Sequence, residues 1–392
     1  MVGIYKCNEY NEEKLTNLIN GIFKKHKFDE MIKKDMNVVL KPNMLALRDE
    51  KTATTTNKIF LKCVAKKVIE LGAKCTVCDS PAGQYTEEIM KKMYVGMGYD
   101  TLEEMGVTLN YDMSFSMTNI HGKIIQNIDI ITPILNADLV INLPKLKTHQ
   151  MMNLTCGVKN LFGIIPGKVK SEIHSIYNDY VDFANALIDI SSSVKNQITI
   201  VDAIDSMEGN GPNQGKCRHT GLILASNNQF ELDFVAMKII NLRLKHAYTV
   251  NESIRRKLID PKNIDIIGED LQSCIISDFK KPDILRKSIF RNLIVMSKLI
   301  KPYPTFDEKK CIKCMKCVNR CPEKVLEFKN GKVVLTSKKD CIRCFCCSEH
   351  CPVEAVNIKH QFIFSDINKF VKANEKTMGL IDENKNNKEN VQ

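Results

Sequence analysis

The sequence predicts an α/β fold: a three-layer domain with a mostly parallel sheet, followed by a small cysteine-rich α+β domain. Over residues 1–280, short continuous apolar stretches alternate with segments of helical periodicity. Strands that are apolar on both faces are typical of parallel sheets with helices on each side. The pattern changes near residue 305, and nine cysteines then lie within residues 311–351. A chain of 392 residues is long enough for two such domains.

The elements of the large domain follow from the spacing of its apolar residues. Residues 13–26 have apolar side chains at helical intervals, and NVVLKPN at 37–43 has the pattern of a short buried strand. Residues 57–72 predict a helix that ends at Gly72, because glycine is favoured just after a helix. Continuous apolar runs predict further strands at 73–81, 137–145, 197–205 and 220–226. We expect a glycine-rich loop at 207–215.

Two further segments connect and follow these domains. PDILRKSIFRNLIVMSKLIK at 282–301 has the spacing of a basic amphipathic helix. We interpret it as a helix that packs one domain onto the other, although the same pattern also suits a membrane surface. KPYPTF then marks a boundary. The predicted segments are an α/β domain at 1–280, a helix and linker at 281–304, a cysteine-rich domain at 305–360, and a helix and polar tail at 361–392.

The composition narrows the possible functions. No apolar run approaches the ~20 residues of a transmembrane helix, and the N-terminus lacks an apolar signal-peptide core, so we expect a cytoplasmic protein. The net charge is +11, but the lysines are spread along the chain without an arginine-rich stripe, which argues against nucleic-acid binding. Sixteen cysteines in a protein without an export signal favour metal binding over disulfides, and they suit an anaerobic cell.

The pattern C-x2-C-x2-C-x3-C-P occurs twice, in a first motif at 311–322 and a second motif at 341–352. In this pattern three cysteines bind one [4Fe–4S] cluster and the fourth binds the other cluster. The spacing therefore predicts two [4Fe–4S] clusters with crossed ligands. Zinc also binds C-x2-C pairs, but zinc does not explain the third cysteine at the same interval or the Cys-Pro. One cluster is assigned Cys311, Cys314, Cys317 and Cys351, and the other Cys341, Cys344, Cys347 and Cys321.

With these motifs, segment 305–360 resembles the bacterial two-cluster ferredoxin. Apolar residues alternate around Asn330 and Gly331, which predicts a β-hairpin between the motifs. Cys346 has no counterpart in the first motif, where Lys316 stands, and we expect it to be a free thiol near a cluster. The segment has twelve lysines and arginines against seven acids. This charge favours an acidic redox partner such as a ferredoxin or flavodoxin, although the whole chain is rich in lysine.

Polar side chains stand at several predicted strand ends of the large domain. Ligands of open parallel sheets bind beyond the carboxyl ends of the strands, so these side chains predict a pocket. Because four of them are lysines, the pocket would suit a small anion such as a carboxylate or phosphate. The candidates are Lys41, Asn43, Asp79, Lys145, Lys147, His149, Lys159, Asn160 and Asp202.

Three other patterns in this domain are weak evidence for a functional site. GIIPGKV at 163–169 has too few residues between its glycines for a phosphate-binding P-loop, and valine follows the lysine. Cys75 and Cys78 form a C-x2-C pair, but strand residues three apart face opposite sides, so we expect both to pack in the core. His149 suits either a general acid or base or a hydrogen-bonded structural role.

Five short segments of the large domain form a recognisable set. They are KPN, DSPAG, INLPKLKTH, GVKNLFGIIPG and IVDAIDSMEGNGP. As a set they resemble the domain-of-unknown-function family three-six-two (DUF362), whose members are often fused to ferredoxin modules. The resemblance covers about residues 1–280 and implies a pocket but no particular reaction. One departure is that Thr56 and Asn57 stand where the family commonly has Thr-Thr-His-Pro.

Three functions are compatible with these patterns. In the first, the protein is an iron–sulfur oxidoreductase, and electrons pass from a soluble donor through the clusters to a small anion in the pocket. In the second, it is a ferredoxin-like electron carrier or assembly adaptor without substrate turnover. In the third, the α/β domain binds a ligand without redox chemistry and the clusters only stabilise the protein. The cysteine pattern favours electron transfer, whereas no pattern identifies a substrate.

Overall fold

The computed structural model describes residues 1–81, 83–283 and 300–362, and its first part is the predicted α/β domain. The strands of this domain are β1 (Val2–Lys6), β2 (Asn37–Pro42), β3 (Lys74–Val77), β4 (Thr108–Leu109), β5 (Phe115–Asn119), β6 (Asn127–Ile131), β7 (Leu139–Leu143), β8 (Lys145–Lys147), β9 (Gln197–Asn210), β10 (Gln214–Ser226) and β11 (Ile266–Gly268). Its helices are α1 (Glu12–His26), α2 (Phe28–Met31), α3 (Lys58–Glu70), α4 (Glu87–Met97), α5 (Thr132–Leu135), α6 (Gly157–Asn160), α7 (Gly167–Ile176), α8 (Tyr180–Ser192), α9 (Gln229–Ile239) and α10 (Tyr248–Arg255).

One sheet forms the centre of the domain. Its strand order is β11-β1-β10-β9-β7-β2-β3-β4, and β8 pairs with β9 beside this path. Every pair from β9 to β4 is parallel, and only β10 is antiparallel to its neighbours β1 and β9. The prediction of a mostly parallel sheet is confirmed. The expected loop at 207–215 is shorter, because β9 and β10 stay paired up to Asn210 and Gln214 and form a long hairpin.

Helices cover both faces of the sheet. On one face, α1, α3 and α4 pack with Val38 and Leu40. On the other face, α6, α7 and α8 pack with Val39, and α9 and α10 cover the part of the sheet near β1. Neighbouring strand residues thus enter opposite layers, as a strand buried on both faces requires. Cys75 and Cys78 are also buried in opposite layers, which confirms that they are packing residues.

Residues 300–362 form the small domain. Its strands are β12 (Ile300–Phe306), β13 (Leu326–Lys329), β14 (Lys332–Leu335) and β15 (Val356–Phe362). β12 pairs with β15, and β13 forms a hairpin with β14. At the tip of the hairpin, Asn330 and Gly331 have φ angles of 50° and 76°. Two positive φ angles are what an Asn-Gly hairpin turn needs, so the predicted hairpin is confirmed.

The two cysteine motifs fold alike. Each has two residues with positive φ before a short helix, Lys313 and Met315 in the first motif and Arg343 and Phe345 in the second. The helices that follow are Lys316–Asn319 and Cys346–Glu349. These backbone features of the first motif therefore recur 30 residues later, as from Lys313 to Arg343. The small domain is internally pseudo-symmetric.

The predicted helix at 282–301 lies almost entirely outside the described residues, as do the predicted C-terminal helix and tail at 361–392. The structure places Ile300 at the start of β12 and Phe362 at the end of β15. The prediction that these two residues belong to the helical segments was therefore wrong. The reason is that the two strands pair with each other, a contact between distant parts of the sequence. Within the three described ranges, no helix is long and apolar enough to cross a bilayer.

Candidate functional site

A cavity of about 90 Å³ lies where the α/β domain meets the small domain. It lies beyond the carboxyl ends of β2 and β3, where ligands of open sheets bind. The segment after β8 and the helices α6 and α7 form other walls, and Cys346, Glu349 and His350 close it from the small domain. Of the sequence candidates, those that line the cavity are Lys41, Asn43, Asp79, Lys147, His149, Lys159 and Asn160.

Lys145 and Asp202 do not line the cavity. They form a buried ion pair of 2.8 Å, which the Tyr10 hydroxyl completes by donating to Asp202 at 2.8 Å and accepting from Lys145 at 2.7 Å. The register of β8 on β9 shifts between Lys145, opposite Asp202, and Lys147, opposite Met207. This irregularity places two lysines from one short strand in different sites. The charges of Lys145 and Asp202 are thus paired with each other outside the cavity.

Lys41 and Asp79 join the ends of two neighbouring strands. Lys41 Nζ lies 2.8 Å from Asp79 Oδ1, and both side chains are buried. Asp79 Oδ2 also accepts a hydrogen bond from the Met44 backbone N–H at 2.8 Å. Gly163 packs against this pair so closely that a Cβ there would lie 2.1 Å from Asp79 Oδ1. The pair adds no net charge to the cavity, but it fixes the wall that β2 and β3 provide.

A chain of buried amide side chains leads from Lys147 into the α/β domain. Lys147 Nζ donates to Asn43 Oδ1 at 2.9 Å. Asn43 Nδ2 donates to Asn160 Oδ1 at 2.9 Å, and Asn160 Nδ2 donates to Asn142 Oδ1 at 2.8 Å. Every amide therefore donates in the same direction, away from the ammonium group. Aligned hydrogen bonds polarise one another, and here the carbonyl end of each amide points toward the positive charge.

Of the four lysines that line the cavity, Lys159 has the ammonium group with the fewest partners. It lies on α6, whose first turn is fixed by Asp233, because that carboxylate accepts a hydrogen bond from the Gly157 N–H at 2.6 Å. Lys159 Nζ lies 5.4 Å from the centre of the Phe162 ring. Among the described residues, no hydrogen bond or ion pair to this ammonium group is present. Lys159 is therefore the cation most ready to bind a ligand.

His149 contacts Glu349 of the small domain. Its Nδ1 accepts hydrogen bonds from the backbone N–H groups of Met151 and Met152 at 3.1 Å each, so its proton is on Nε2. Nε2 lies 3.1 Å from Glu349 Oε1. Burial lowers the pKa of His149 to about 4, so the imidazole is neutral at pH 7. Burial alone would raise the pKa of Glu349, but His149 and Lys159 lower it to about 2.

The polar residues of the cavity that were not predicted include Lys170, His174 and Glu349. Lys170 Nζ donates to the Ser80 carbonyl, and His174 stacks on Phe183 with 4.3 Å between ring centres. Lys170 and His174 are four residues apart on α7, so a helical reading of that segment would have placed them on one face. Nothing in the sequence indicates Glu349, because its role depends on how the small domain packs.

The cavity has an excess of positive groups. Facing it are Lys41, Lys147, Lys159 and Lys170, with Asp79 and Glu349 as the acids. Burial lowers the pKa of Lys147 and of Lys170 to about 7, and it also lowers the pKa of Lys159. A bound anion would offset this burial cost and restore the charged form of the lysines. The cavity has the volume of roughly three water molecules in the liquid, which suits a group the size of a carboxylate.

The thiols of the second motif surround a small void together with one thiol of the first. Cys341, Cys344 and Cys347 line this void of about 20 Å³, and the fourth cysteine is Cys321. Most of the other lining side chains are apolar, such as Val325. Four thiols in an apolar setting are the donor set that a [4Fe–4S] cluster takes. These residues therefore fit the cluster, including the crossed ligand from the first motif.

The remaining thiols form a second group of four. Burial and the neighbouring Cys351, Cys311 and Cys314 together raise the pKa of Cys317 to about 11. Cys351 belongs to the second motif in sequence, so this group also contains one crossed residue. Cys311 and Cys317 pack against one apolar cluster that contains Cys351, and metal binding would remove the protons of such neighbouring thiols. This group fits a second cluster by the same donor chemistry.

The small domain packs on the α/β domain through the second motif. Phe345 lies in one apolar cluster with Phe162 of the cavity wall. The Arg48 guanidinium donates to the carbonyl groups of Pro352 at 2.8 Å and Cys351 at 3.0 Å. Carbonyl groups of the second Cys-Pro are thus held by a side chain about 300 residues earlier in the chain. These contacts fix the second motif against the cavity.

The two motifs differ in exposure although they fold alike. Cys344 and Cys347 of the second motif are buried. In the first motif, by contrast, Cys314 is exposed, and the neighbouring Ile312 is 59% exposed. The small domain therefore has one end covered by the α/β domain and another end that faces solvent.

Two family models match the chain. One is described as a domain of unknown function (DUF362) and matches residues 38–238. The other is a 4Fe-4S dicluster domain and matches residues 303–352. Most walls of the cavity, from Lys41 to His174, fall within the first match, whereas Cys346 and Glu349 fall within the second.

Individual proteins are also similar to this chain. A thylakoid-associated protein of Synechocystis sp. (strain ATCC 27184 / PCC 6803 / Kazusa) is 32% identical over 213 residues, which cover 54% of this chain and 65% of that protein. The chain thus spans slightly less than two thirds of this relative's length. The lactate racemase apoprotein from Thermoanaerobacterium thermosaccharolyticum is 14% identical, with a TM-score of 0.35 and coverage of 59% of this chain and 56% of that one. A protein from Thermotoga maritima is 12% identical, with a TM-score of 0.35 and coverage of 63% and 60%.

Proposed function

Because this chain belongs to the DUF362 family and carries a 4Fe-4S dicluster domain, we propose that it is an iron–sulfur oxidoreductase acting on an organic anion held in the cavity. One observation carries the proposal. The same cavity is lined by Lys159, an ammonium group with few partners, and by Cys346, which stands in the sequence between the proposed cluster ligands Cys344 and Cys347. An anion bound to Lys159 would therefore lie beside a cluster-binding segment.

We assign two [4Fe–4S] clusters to the small domain. The first is bound by Cys311, Cys314, Cys317 and Cys351, and the second by Cys341, Cys344, Cys347 and Cys321. When bound, the clusters supply electrons one at a time. The grouping of the thiols into two sets of four supports this assignment.

The residues of the cavity bind the anion and supply protons. Lys159 binds the negative group, while the paired Lys41 and Asp79 fix the wall at the ends of β2 and β3. Lys147 and Lys170 have pKa values of about 7, so each can both hold and release a proton near neutral pH. A bond that takes up electrons usually also takes up protons, and these two lysines line the cavity on the α/β side.

An anion titration tests this proposal. In the anaerobically purified and chemically reduced protein, acetate is expected to change the electron paramagnetic resonance spectrum of one cluster and to lower its midpoint potential. The reason is that a negative charge beside the cluster opposes the addition of an electron. The spectrum should be recorded with increasing acetate and, as a control for ionic strength, with the same concentrations of sodium chloride.

The alternative function predicts a different outcome. An electron carrier or assembly adaptor without substrate turnover needs no anion beside its clusters. If acetate and sodium chloride have the same small effect on both clusters, the oxidoreductase proposal is wrong and the carrier or adaptor takes its place.

We further propose that electrons enter through the exposed first motif from an acidic redox protein such as a ferredoxin or flavodoxin. Ile312 provides an apolar contact there, and it is surrounded in sequence by the exposed residues Lys309, Lys310 and Lys313. An apolar centre with a charged rim is a common form of transient redox interface. The opposite end of the small domain is covered, which leaves the first motif as the accessible end.

Charge reversal at this surface should slow reduction by such a donor. We expect the double variant Lys310→Glu and Lys313→Glu to be reduced about ten-fold more slowly by reduced ferredoxin at low salt, because electrostatic attraction speeds the encounter. The difference should shrink at high salt, where these charges are screened. Stopped-flow absorbance of the clusters measures the rate. The double variant Lys24→Glu and Lys66→Glu, at exposed positions on α1 and α3, changes the net charge by the same amount and is the control. An equal slowing in this control would show that only net charge matters.

A further inference from the structure

A large groove adjoins the cavity. It has a volume of about 1000 Å³ and runs between α4, the start of α7 and the first cysteine motif. Gly83 and Ser171 line both the groove and the cavity, so the two spaces meet at these residues. Cys321, assigned as a ligand of the second cluster, lines the groove as well. The groove therefore extends the candidate site and stays in contact with the cluster-binding residues.

Glycine forms part of the junction between the two spaces. Gly83 has a φ of 112°, which favours glycine. A Cβ at Gly83 would lie 2.5 Å from the Arg320 guanidinium, and a Cβ at Gly167 would lie 2.0 Å from the Gly83 carbonyl oxygen. Two glycines thus bring the backbone close together at the point where the cavity opens. A larger residue at either position would narrow the passage between the spaces.

The groove differs from the cavity in its chemistry. Its charged residues are balanced, with the acids Glu88, Asp129 and Glu172 and the bases Lys92, Lys168 and Arg320. Its walls also include the apolar side chains of Ile89, Phe115 and Val169 and the ring of Tyr85. Phe115 is 49% exposed, which leaves much of its ring open to a ligand. A space with no net charge and an aromatic wall suits an uncharged, apolar group.

We propose that the groove binds the apolar body of the substrate while its anionic group occupies the cavity. This inference rests on the proposed function, because it assumes that the cavity binds the anion. The substrate is then an organic acid considerably larger than the cavity itself. A cavity of about 90 Å³ has room for the acid group alone, whereas the groove has room for a ring or chain attached to it. Lys159 fixes the anionic end, and Phe115 contacts the body.

Binding of two carboxylates of different size tests the inference. The probes are acetate, which fits within the cavity, and 3-phenylpropanoate, which adds an apolar body. We expect the full-length oxidised protein to bind 3-phenylpropanoate at least about ten-fold more tightly than acetate, because a phenyl ring leaves water on binding. Isothermal titration calorimetry under anaerobic conditions measures both affinities.

A pair of variants on one strand separates the groove from the cavity. Phe115→Ala should weaken 3-phenylpropanoate binding about five-fold and leave acetate binding unchanged, since only the ring contact is lost. Met117→Ala is the matched control, because Met117 is 67% exposed on the same strand β5 but does not line the groove. Both changes are at exposed positions, so neither should disturb folding.

The outcomes distinguish the two proposals. If acetate binds but 3-phenylpropanoate binds no more tightly, or if Phe115→Ala leaves its affinity unchanged, the groove inference is overturned and the proposed function stands. If neither carboxylate binds, the cavity is not a carboxylate site, and both the proposed function and this inference fail. Preferential binding of 3-phenylpropanoate that Phe115→Ala weakens and Met117→Ala does not would support both.

Discussion

Replacing Cys321 with serine should remove about half of the iron from the anaerobically purified protein, which with two clusters contains about eight irons. Cys321 stands in the first motif of the sequence, yet it lines the same void as Cys341, Cys344 and Cys347. The cluster lost should therefore be the one held by the second motif, next to the cavity. A serine hydroxyl is a poor substitute for a thiolate ligand, so we expect this one cluster to be lost completely. Iron and sulfide analysis gives the loss, and resonance spectra of the reduced protein identify the cluster that stays.

Two further serine variants are controls. Cys75→Ser should retain all iron, because Cys75 is buried in the α/β core far from either group of thiols. Cys346→Ser should also retain it, because Cys346 lies outside both groups and lines the cavity instead. Loss of iron in Cys75→Ser, in step with Cys321→Ser, would contradict the division of the cysteines. A Cys321→Ser protein that lost the first-motif cluster would contradict the crossed arrangement.

Replacing Lys159 with methionine should weaken acetate binding about 10- to 150-fold, because a charge-assisted hydrogen bond contributes about 1.5–3 kcal/mol. The free energy of unfolding should be unchanged or higher, since burial lowers the pKa of Lys159 and its ammonium group therefore costs stability. Calorimetric titration and denaturant unfolding measure the two effects. Lys238→Met is the matched control, because Lys238 Nζ also lies 5.4 Å from a phenylalanine ring, that of Phe234, but outside the cavity. Equal acetate affinity in the Lys159→Met and Lys238→Met proteins would rule out Lys159 as the binding group.

The same binding should depend on pH. Lys147 and Lys170 have pKa values lowered from 10.5 to about 7, mainly by burial, with further effects from Lys159 and Asp79. Acetate favours their charged form, so binding takes up protons and weakens as the pH rises through 7. Without the anion, the unfolded chain holds more protons than the folded chain between about pH 7 and 10.5. The free energy of unfolding contributed by these lysines therefore rises with pH across that window.

Much of this structure could be predicted because it depends on local patterns. The continuous apolar run of Val38, Val39 and Leu40 indicates a strand buried on both faces, and such strands assemble into a parallel sheet in few ways. The interval between cysteines likewise predicts both motifs, and the apolar alternation around Asn330 and Gly331 predicts the hairpin between them. Seven of nine candidate residues line one cavity, since the strand ends of a parallel sheet meet at one edge.

What could not be predicted depends on register and on contacts between distant residues. Lys145 and Lys147 are two residues apart on one strand and should face the same way, but the shift in pairing with β9 separates them. Glu349 enters the cavity only because the small domain packs against the α/β domain. Arg48 holds that domain by donating hydrogen bonds to backbone carbonyl oxygens. Because every residue has such an acceptor, the sequence does not show which carbonyl groups a side chain will bind.

The unequal exposure of the two cysteine motifs has a kinetic consequence. The second motif is held against the cavity by its own chain, so in the proposed function the last electron transfer is intramolecular. Its rate would not change on dilution, because the effective concentration of a tethered partner is fixed by geometry. Only the encounter at the first motif involves a second protein. Dilution should therefore slow the arrival of electrons while leaving their passage to the bound anion unaffected.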